Sequence, residues 1–451
     1  MKITFSGANR EVTGSCYHVG ASQANVVLDC GMFQGGKFAE DKNRLAFPFN
    51  PTEVESVVLT HAHFDHTGRL PKLYKDGFRG KIYCTEPTAQ LAMITLRDSV
   101  HLMKEEAERH QHEPLYTPED VEPLQDMFTT IPYHQERQVA PGVSVFLADA
   151  GHILGSASVK MVADGKSTVF SGDLGNTPVP LLKSVECLYG AQAVICESTY
   201  GNRVHEPGDQ RTAFLRDAIL DTIKSKGTLL IPAFAMERTQ ELLYELHRLA
   251  VEKQIPRVPI FLDSPMAIAA TDVYRAHSEF FDATAQRDLI TMGDLFNFPG
   301  VTMTRDSSES KAILEFRGPK VIIAGSGMMN GGRIMHHLKN YLHLKNTTVL
   351  IVGFQVEGSL GRRLHDGEKN VHIYGQEINV QADIRSCGAF SGHADYPRLM
   401  QWMHCFQAQP PQQVYITHGE EHAAFSFAQS VREELMLSSQ VPEYGSTVTI
   451  E

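Results

Sequence analysis

Four side chains that can bind a metal ion lie within six residues, in the stretch Thr60-His61-Ala62-His63-Phe64-Asp65-His66. The run before it, Ser56-Val57-Val58-Leu59, has the apolar character of a buried strand. Neutral imidazole and carboxylate groups are the ligands that zinc and related transition metals bind. A polar loop would explain one or two of these residues, but the H-x-H-x-D-H pattern is far more specific. The stretch therefore predicts a metal-binding loop at the end of a strand.

Three further candidates, His152, Asp173 and His418, each follow a predicted strand further along the chain. Sheet proteins bind ligands just past the carboxyl ends of their strands, so these side chains are expected to converge. Plainer explanations exist, because Asp173 is suited to a turn and the two histidines could bond to backbone. Together with the loop they make a set of seven predicted metal ligands: His61, His63, Asp65, His66, His152, Asp173 and His418.

Seven ligands suit a pair of ions that share one carboxylate. The spacing predicts one ion at His61, His63 and His152, and a second at Asp65, His66 and His418, with Asp173 between them. Two ions about 3.5–4 Å apart can activate a water and stabilise the charge of an in-line displacement at phosphorus. Asp29, at the end of a predicted strand, is expected to orient a ligand histidine rather than to bind metal.

A phosphodiester cleavage also needs a proton for the leaving oxygen, and His393 with Glu197 is the candidate pair. A histidine beside a carboxylate is favoured in its protonated form, which suits a general acid. The two residues lie far apart in the sequence, so spacing alone leaves the pairing open. The glycine-rich turn at 325–332 could cradle a phosphate through backbone N–H groups, and a plain tight turn is the alternative.

Bulk properties describe a multidomain globular protein. At 451 residues the chain exceeds one ordinary domain. From about residue 205, strands alternate with helical stretches in four units, which predicts a parallel sheet. The formal charge of −12 makes a nucleic-acid partner less probable without excluding it.

Location is predicted from what the sequence lacks. No apolar run approaches the roughly 20 residues of a membrane span, and the N-terminus does not resemble a signal peptide. The seven cysteines form no C-x-x-C pair, so we expect reduced thiols in a cytoplasmic protein and no zinc bound by cysteine.

Three downstream motifs complete a pattern with the metal loop: Glu197-Ser198-Thr199-Tyr200-Gly201, Ser391-Gly392-His393-Ala394-Asp395 and Thr417-His418-Gly419-Glu420. With His152 and Asp173, the set resembles the metallo-β-lactamase fold in its β-CASP branch, which contains RNA and DNA nucleases. The resemblance implies an α/β protein, an αββα sandwich of two stacked sheets with an inserted β-CASP α/β domain. It assigns 1–204 and 385–451 to the metallo-β-lactamase domain and 205–384 to the β-CASP domain.

The resemblance also implies the contents of the site. Two Zn²⁺ per chain are expected, although zinc and manganese are not distinguished, and RNA would run between the two domains. His393 would act at the scissile phosphate with Glu197 supporting it, and Asp65 and Asp173 would be catalytic as well as ligands. Substrate binding is assigned to Ser326, Gly327 and Ser391. The oligomeric state is open, with a homodimer as one option.

The predicted function is a two-metal ribonuclease that hydrolyses phosphodiester bonds of single-stranded RNA. Endonuclease action is expected because the sequence shows neither the appended C-terminal domain of ribonuclease J nor the N-terminal modules of archaeal relatives. One alternative is a hydrolase of the same fold that acts on a small ester, thioester or lactam. Another is a non-catalytic RNA-binding or scaffold protein, which metal analysis would distinguish.

Overall fold

The computed structural model describes residues 1–35, 38–208 and 210–451. The chain forms two compact units. Unit 1 comprises Met1–Thr177, Leu182–Val204 and His393–Glu451, and unit 2 comprises Pro178–Leu181 and His205–Gly392. Among the described residues, no helix is long and apolar enough to cross a membrane.

The strands, in chain order, are β1 Lys2–Phe5, β2 Tyr17–Gly20, β3 Asn25–Leu28, β4 Val54–Val58, β5 Lys81–Cys84, β6 Phe128–Thr130, β7 Glu136–Ala140, β8 Val143–Asp149, β9 Ala157–Ala163, β10 Lys166–Phe170, β11 Ala193–Glu197, β12 Thr228–Pro232, β13 Ile260–Leu262, β14 Val301–Met303, β15 Lys320–Ala324, β16 Thr347–Ile351, β17 Asn370–Ile373, β18 Gln376–Asn379, β19 Asp383–Ser386, β20 Gln413–Thr417, β21 Ser439–Gln440 and β22 Thr447–Thr449.

The α-helices are α1 Ala39–Arg44, α2 Phe64–Thr67, α3 Leu70–Lys75, α4 Glu86–His110, α5 Pro118–Val121, α6 Gln210–Lys224, α7 Arg238–Val251, α8 Pro265–Ala276, α9 Ala283–Met292, α10 Ser307–Glu315, α11 Arg333–Tyr341, α12 Leu360–His365, α13 Tyr396–His404 and α14 Glu421–Leu435. Short 3₁₀ helices lie at Pro51–Glu53, Glu122–Met127, Ser278–Phe280 and Gly388–Phe390.

Unit 1 is a sandwich of two seven-stranded sheets. One has the order β22-β1-β2-β3-β4-β5-β6 and the other β21-β20-β11-β10-β9-β8-β7. Their facing sides share a core that includes Phe5 and Leu28 from the first sheet and Leu147 and Phe170 from the second. Each such side chain contributes about 1.5–3 kcal/mol when it is fully buried.

Helices cover both outer faces of this sandwich. On the first sheet, α3 and α4 pack over β4 and β5, with Leu73 and Leu96 in the shared core. On the second sheet, α13 and α14 pack over β11 and β20, with Leu399 and Phe427 in contact. The predicted αββα architecture is therefore confirmed.

The second sheet brings several strand ends to one edge. β8 and β10 both pair antiparallel with β9 and so run in the same direction. β10, β11 and β20 pair in parallel. The carboxyl ends of β8, β10, β11 and β20 therefore meet, and these are the strands that precede the predicted site residues of this sheet.

Unit 2 contains a six-stranded sheet in the order β14-β13-β15-β12-β16-β19, with every pair parallel, and a separate hairpin of β17 and β18. Every residue of β12, β15 and β16 is buried, as expected for strands covered on both faces. The predicted parallel sheet is confirmed. The structure adds β14 and β19, whose short, partly exposed sequences carry a weak apolar signal.

One prediction about the cysteines is wrong. Cys187 and Cys405 form a disulfide across 218 residues of sequence, so two of the seven thiols are not reduced in the structure. The other five, all buried, are free. Sequence spacing misses this pair because only the packing of α13 beside the β10–β11 connection brings the two residues together. The cytoplasmic location stays a prediction and loses the support of seven reduced thiols.

Candidate metal centre

The metal-binding loop leaves the first sheet directly after β4. The backbone of Thr60 stays anchored, since its carbonyl accepts a 2.8 Å hydrogen bond from Ala157 N at the start of β9. His63 is the N-cap of α2 in an extended conformation, which places Asp65 and His66 on the first turn of that helix. His61 and His66 are buried, and His63 and Asp65 are half-buried. The loop thus turns four ligand side chains inward over a few residues.

The first group of potential ligands comprises His61, His63, His152 and Asp173, whose ligand atoms all lie within 4.8 Å of one another. His63 Nδ1 lies 3.1 Å from both His61 Nε2 and His152 Nε2. Asp173 Oδ2 lies 3.4 Å from His61 Nε2. Three imidazoles and one carboxylate thus point at a common space.

The second group comprises Asp65, His66 and His418, also within 4.8 Å of one another. His66 Nε2 and His418 Nε2 are 3.2 Å apart, and Asp65 Oδ2 lies 3.4 Å from His418 Nε2. Asp173 Oδ1 lies 3.3 Å from His66 Nε2. Because Oδ2 of Asp173 faces the first group and Oδ1 the second, this carboxylate stands between them.

The burial and hydrogen bonding of the Asp173 carboxylate show whether the site fits metal ions. It is only 2% exposed, and no described residue donates a hydrogen bond to either carboxylate oxygen. Although His61 approaches it, their atoms lack hydrogen-bond geometry. A buried carboxylate without donors is strongly unfavourable unless a cation neutralises it. Nitrogen and oxygen ligands in this number are those of zinc sites. The residues therefore fit the metal that the sequence predicts.

The protonation of the first group also suits metal binding. Burial lowers the pKa of His61 to about 3, with His66 adding to the effect, and lowers the pKa of His63 to about 4. Burial and then His393 hold the pKa of His152 well below its usual range. These imidazoles are therefore neutral at pH 7, the form that binds metal.

A hydrogen bond to Asp29 fixes the orientation of His66 in the second group. Asp29 Oδ2 accepts a 2.8 Å hydrogen bond from His66 Nδ1, and the backbone N–H and hydroxyl of Thr60 each donate to the Asp29 carboxylate at 2.8 Å. Burial alone would lower the pKa of His66, but Asp173 and Asp29 raise it well above its usual value. Because Nδ1 is used by Asp29, Nε2 faces the second group. Asp29 thus occupies the orienting position predicted for it.

Thr199 is a functional candidate that sequence reasoning missed. Its hydroxyl lies 3.2 Å from His418 Nδ1 and donates to the His418 backbone carbonyl at 3.1 Å. It therefore does for His418 what Asp29 does for His66. The signal was present, because Thr199 follows Glu197 at the end of β11, but a threonine in a turn is too common to be singled out.

The structure brings His393 and Glu197 together across 196 residues, with His393 Nδ1 3.4 Å from Glu197 Oε1. Backbone N–H groups of Leu174 and Thr199 donate to the two oxygens of Glu197 at 2.6 and 3.3 Å, so its orientation is determined. Burial alone would lower the pKa of His393, but Glu197, followed by Asp173, raises it to about 9. The imidazole is therefore positively charged at pH 7.

The residues predicted to bind substrate lie in unit 2, whereas the metal ligands lie in unit 1. Ser326 donates to the Gly331 carbonyl through both its backbone N–H and its hydroxyl, at 3.2 and 3.3 Å. A Cβ on Gly327 would lie 2.7 Å from the ring of Phe234. The 325–332 turn is therefore closed on itself, as the tight-turn alternative expected. Ser391 is buried, and its N–H donates to the Gly388 carbonyl. A substrate-binding role for these three residues stays a prediction.

Three family profiles match the sequence. The metallo-beta-lactamase superfamily matches residues 9–232, the Beta-Casp domain matches 239–364, and the Zn-dependent metallo-hydrolase RNA specificity domain matches 377–442. These spans include all seven potential ligands as well as Glu197 and His393.

Relatives match over nearly the whole chain. Ribonuclease TTHA0252 of Thermus thermophilus is 38% identical over 93% of this chain and 94% of its own length. An RNase J-like protein of Methanocaldococcus jannaschii is 30% identical over 99% of each chain. Transcription termination factor FttA of Methanosarcina mazei is 30% identical over 100% of this chain and 72% of its own length.

A solved structure supports the fold alone. The crystal structure of a protein of unknown function from Enterococcus faecalis V583 matches with a TM-score of 0.56 at 12% identity, over 99% of both chains. By the family profiles and the relatives, this chain belongs to the metallo-beta-lactamase superfamily and, within it, to the β-CASP family of zinc-dependent RNA-processing nucleases.

Proposed function

We propose that the chain is a two-zinc endoribonuclease that hydrolyses phosphodiester bonds within single-stranded RNA. The observation that carries this proposal is the buried Asp173 carboxylate, which has no hydrogen-bond donor among the described residues and stands between two groups of ligands. A single carboxylate between two groups of imidazole and carboxylate ligands is an arrangement that suits a pair of ions.

The chain's own residues would hold the two ions. His61, His63 and His152 would bind one, Asp65, His66 and His418 the other, and Asp173 both. When bound, zinc lowers the pKa of water and stabilises negative charge at a phosphoryl group. Asp29 and Thr199 keep the ligand histidines in orientation, and Asp65 and Asp173 set the negative charge of the site.

His393 would supply the proton for the leaving oxygen. Its Nδ1 faces Glu197, so the proton transferred to the substrate would come from Nε2. A pKa of about 9 keeps the ring protonated at pH 7, and its side chain is 19% exposed, within reach of solvent and substrate. A positioned general acid typically contributes 10²–10⁴-fold to the rate.

The remaining parts of the proposal concern substrate and domains. The relative named a ribonuclease and the match to an RNA specificity domain support RNA as the substrate. All the proposed groups act on the phosphodiester linkage itself, and none of them is assigned to recognise a 5′ or 3′ end, so the proposal is internal cleavage. We assign the chemistry to residues 1–204 and 385–451, and RNA binding to 205–384 through Ser326 and Gly327, together with Ser391 from 385–451.

Cleavage of a circular RNA by zinc-loaded protein tests the proposal, because a circle has no end for an exonuclease. We expect linear products from wild-type protein and losses of at least 10²-fold for Asp173→Ala and His393→Ala. Asp126→Ala and His404→Ala, at exposed positions outside the site, serve as matched controls and should retain activity. Unchanged cleavage by either site variant, with intact folding by circular dichroism, would remove the roles assigned here. Cleavage of linear but not circular RNA would replace endonuclease with exonuclease action.

A further inference from the structure

Charge is unevenly distributed along unit 2. The segment 316–356 contains no aspartate or glutamate, although the chain has 53 of them and a net charge of −12. This segment forms β15, α11 and β16. Its basic residues are Arg317, Lys320, Arg333, Lys339 and Lys345, and its histidines are His336, His337 and His343.

Two of the basic residues, Lys320 and Arg333, interact with other residues of unit 2. Lys320 is buried and donates to the carbonyls of Ile313 and Phe316 at 3.2 and 2.8 Å. Arg333 pairs with the buried Asp263 carboxylate at 2.7 Å. These two cations stabilise unit 2, so they are not part of the surface proposed below to bind a partner.

Arg317 precedes β15, and the remaining basic residues and the histidines lie on α11 or just beyond its end. His336 and Lys339 are spaced i and i+3, which places them on a common helical face, and His343 follows two residues after the helix ends. His336, His343 and Lys345 are exposed and Lys339 is partly exposed. The opposite side of the helix is apolar, since Ile334 and Leu338 pack in the core of unit 2.

An exposed aromatic ring adjoins His336. Tyr374 lies at the turn between β17 and β18 and is 55% exposed. Its ring centroid is 5.1 Å from that of His336, and its hydroxyl lies 3.4 Å from His336 Nε2. Val371 and Ile373 of the hairpin share the core with α11, so the tyrosine is held beside the helix.

Two carboxylates that follow α12 are paired with its arginines. Asp366 pairs with Arg362 at 2.9 Å, and Glu368 pairs with Arg363 within hydrogen-bond distance. Lys339 and Lys345 lie, on an acidic protein, in a stretch of sequence that carries no carboxylate of its own.

We propose that this surface, the α11 face (His336, Lys339, His343, Lys345 and Tyr374), binds a segment of single-stranded RNA. The lysines would contact phosphates, and a base would stack on Tyr374. Lysine ammonium groups together with an exposed aromatic ring are the combination that single-stranded nucleic acid binds, since phosphates need the charge and unpaired bases need the ring. The identity of the polyanion as RNA rests on the proposed function.

The test measures binding of a fluorescent, unstructured 20-nucleotide RNA to the full chain, with a chelator present to stop cleavage. For single strands each phosphate contact changes the logarithm of affinity by about 0.7 per tenfold change in salt. Lys339→Gln with Lys345→Gln should therefore lower the salt slope by about 1.4. Affinity should fall about 25-fold at 0.1 M salt and converge with wild type at 1 M.

Two comparisons make the test specific. Lys224→Gln with Lys311→Gln removes the same charge from exposed positions of α6 and α10 and should change affinity less than twofold. Tyr374→Leu should weaken binding about fivefold or more at every salt concentration, because stacking is not an ionic contact. Hydrolysis of bis(p-nitrophenyl) phosphate by zinc-loaded protein should be unchanged in all of these variants.

The outcomes separate this inference from the proposed function. If the lysine variant binds and cleaves RNA like wild type, the α11 face does not bind RNA, and the nuclease proposal stands. If wild type binds RNA through these residues but cleaves none, the nuclease proposal falls instead. Equal losses of RNA affinity in the Lys339/Lys345 variant and in the Lys224/Lys311 control would indicate unspecific electrostatic attraction and overturn the inference. Equally tight binding of polyglutamate, unaffected by Tyr374→Leu, would reveal an acidic protein partner and also overturn it.

Discussion

Replacing Asp149 with asparagine should make the protein more stable than wild type as the pH rises. Asp149 ends β8, three residues before His152, and is 7% exposed. Burial raises the pKa of Asp149 to about 7, and Glu186 adds to this, although the backbone N–H of Gly151 donates to the carboxylate at 2.8 Å. An asparagine can accept the same hydrogen bond without carrying a charge.

The direction follows from proton binding. Because the pKa is higher in the folded protein than the usual 3.8, the native state keeps its proton at pH values where the unfolded chain has lost it. The contribution of Asp149 to the free energy of unfolding of the wild-type protein therefore falls as the pH rises from about 4 to 7. An asparagine does not titrate, so its contribution does not change with pH. The dependence covers about two pH units, from pH 5 to the pKa of about 7, at 1.36 kcal/mol each. The stability of Asp149→Asn relative to wild type should therefore increase by about 2.5 kcal/mol between pH 5 and pH 8.

Thermal unfolding of metal-loaded wild type and Asp149→Asn at pH 5, 6, 7 and 8 measures this difference. For a unit of this size, 2.5 kcal/mol corresponds to roughly 5 °C in Tm. Comparing the two proteins at the same pH removes the effect of protonating the metal ligands, which both share. Asp126→Asn, at an exposed site, is the matched control and should show no trend. A constant difference between Asp149→Asn and wild type from pH 5 to pH 8 would refute the reasoning.

Three more predictions concern the supports of the site and the disulfide. Thr199→Val removes the hydroxyl 3.2 Å from His418 Nδ1 and should weaken zinc binding about 10–100-fold at one of the two ions, measured by competition with a chromogenic chelator. Asp29→Asn keeps an acceptor for Thr60 but removes the charge beside His66, and the same assay should show a loss of similar size, with zinc retained at the His61 group. Unreduced, denatured protein should react with a thiol reagent at five cysteines and reduced protein at seven, and Cys187→Ser with Cys405→Ser should lose about 2–4 kcal/mol in urea unfolding. Seven reactive thiols without reductant would show that this bond does not form.

The sequence was most informative where chemistry is local. The cluster from His61 to His66 needs only one strand and one helical turn to converge, so its pattern predicts the site directly. The strand before the metal-binding loop and the strands before His152, Asp173 and His418 were predicted because their apolar runs are short and end in polar residues. The parallel sheet of unit 2 and the position of the loop at a strand end followed from the same kind of signal, whereas the two stacked sheets were implied by the resemblance to the metallo-β-lactamase fold.

Contacts between distant parts of the chain were harder to predict. The support of His418 by Thr199 and the disulfide of Cys187 with Cys405 carry no spacing signal of their own. Helical spacing places His336 and Lys339 on one face, but the addition of Tyr374 depends on how the β17–β18 hairpin packs against α11. These pairs depend on shared cores, which no single stretch of sequence specifies.

By itself, the sequence determined the residue types of a metal centre, the alternation of strands and helices after about residue 205, and the ligands that follow strand ends, and its motifs implied the αββα class by resemblance to a known family. Only the tertiary structure showed which oxygen of Asp173 faces each ligand group and that no described residue donates a hydrogen bond to either of them. It also placed His393 Nδ1 3.4 Å from Glu197 Oε1, a distance that sequence spacing left open. The physical reason is that a strand's sequence specifies which side chains follow its end, whereas sheet order and direction specify which ends become neighbours. β8, β10, β11 and β20 run in the same direction, so residues from 152 to 418 converge on the loop at 61–66.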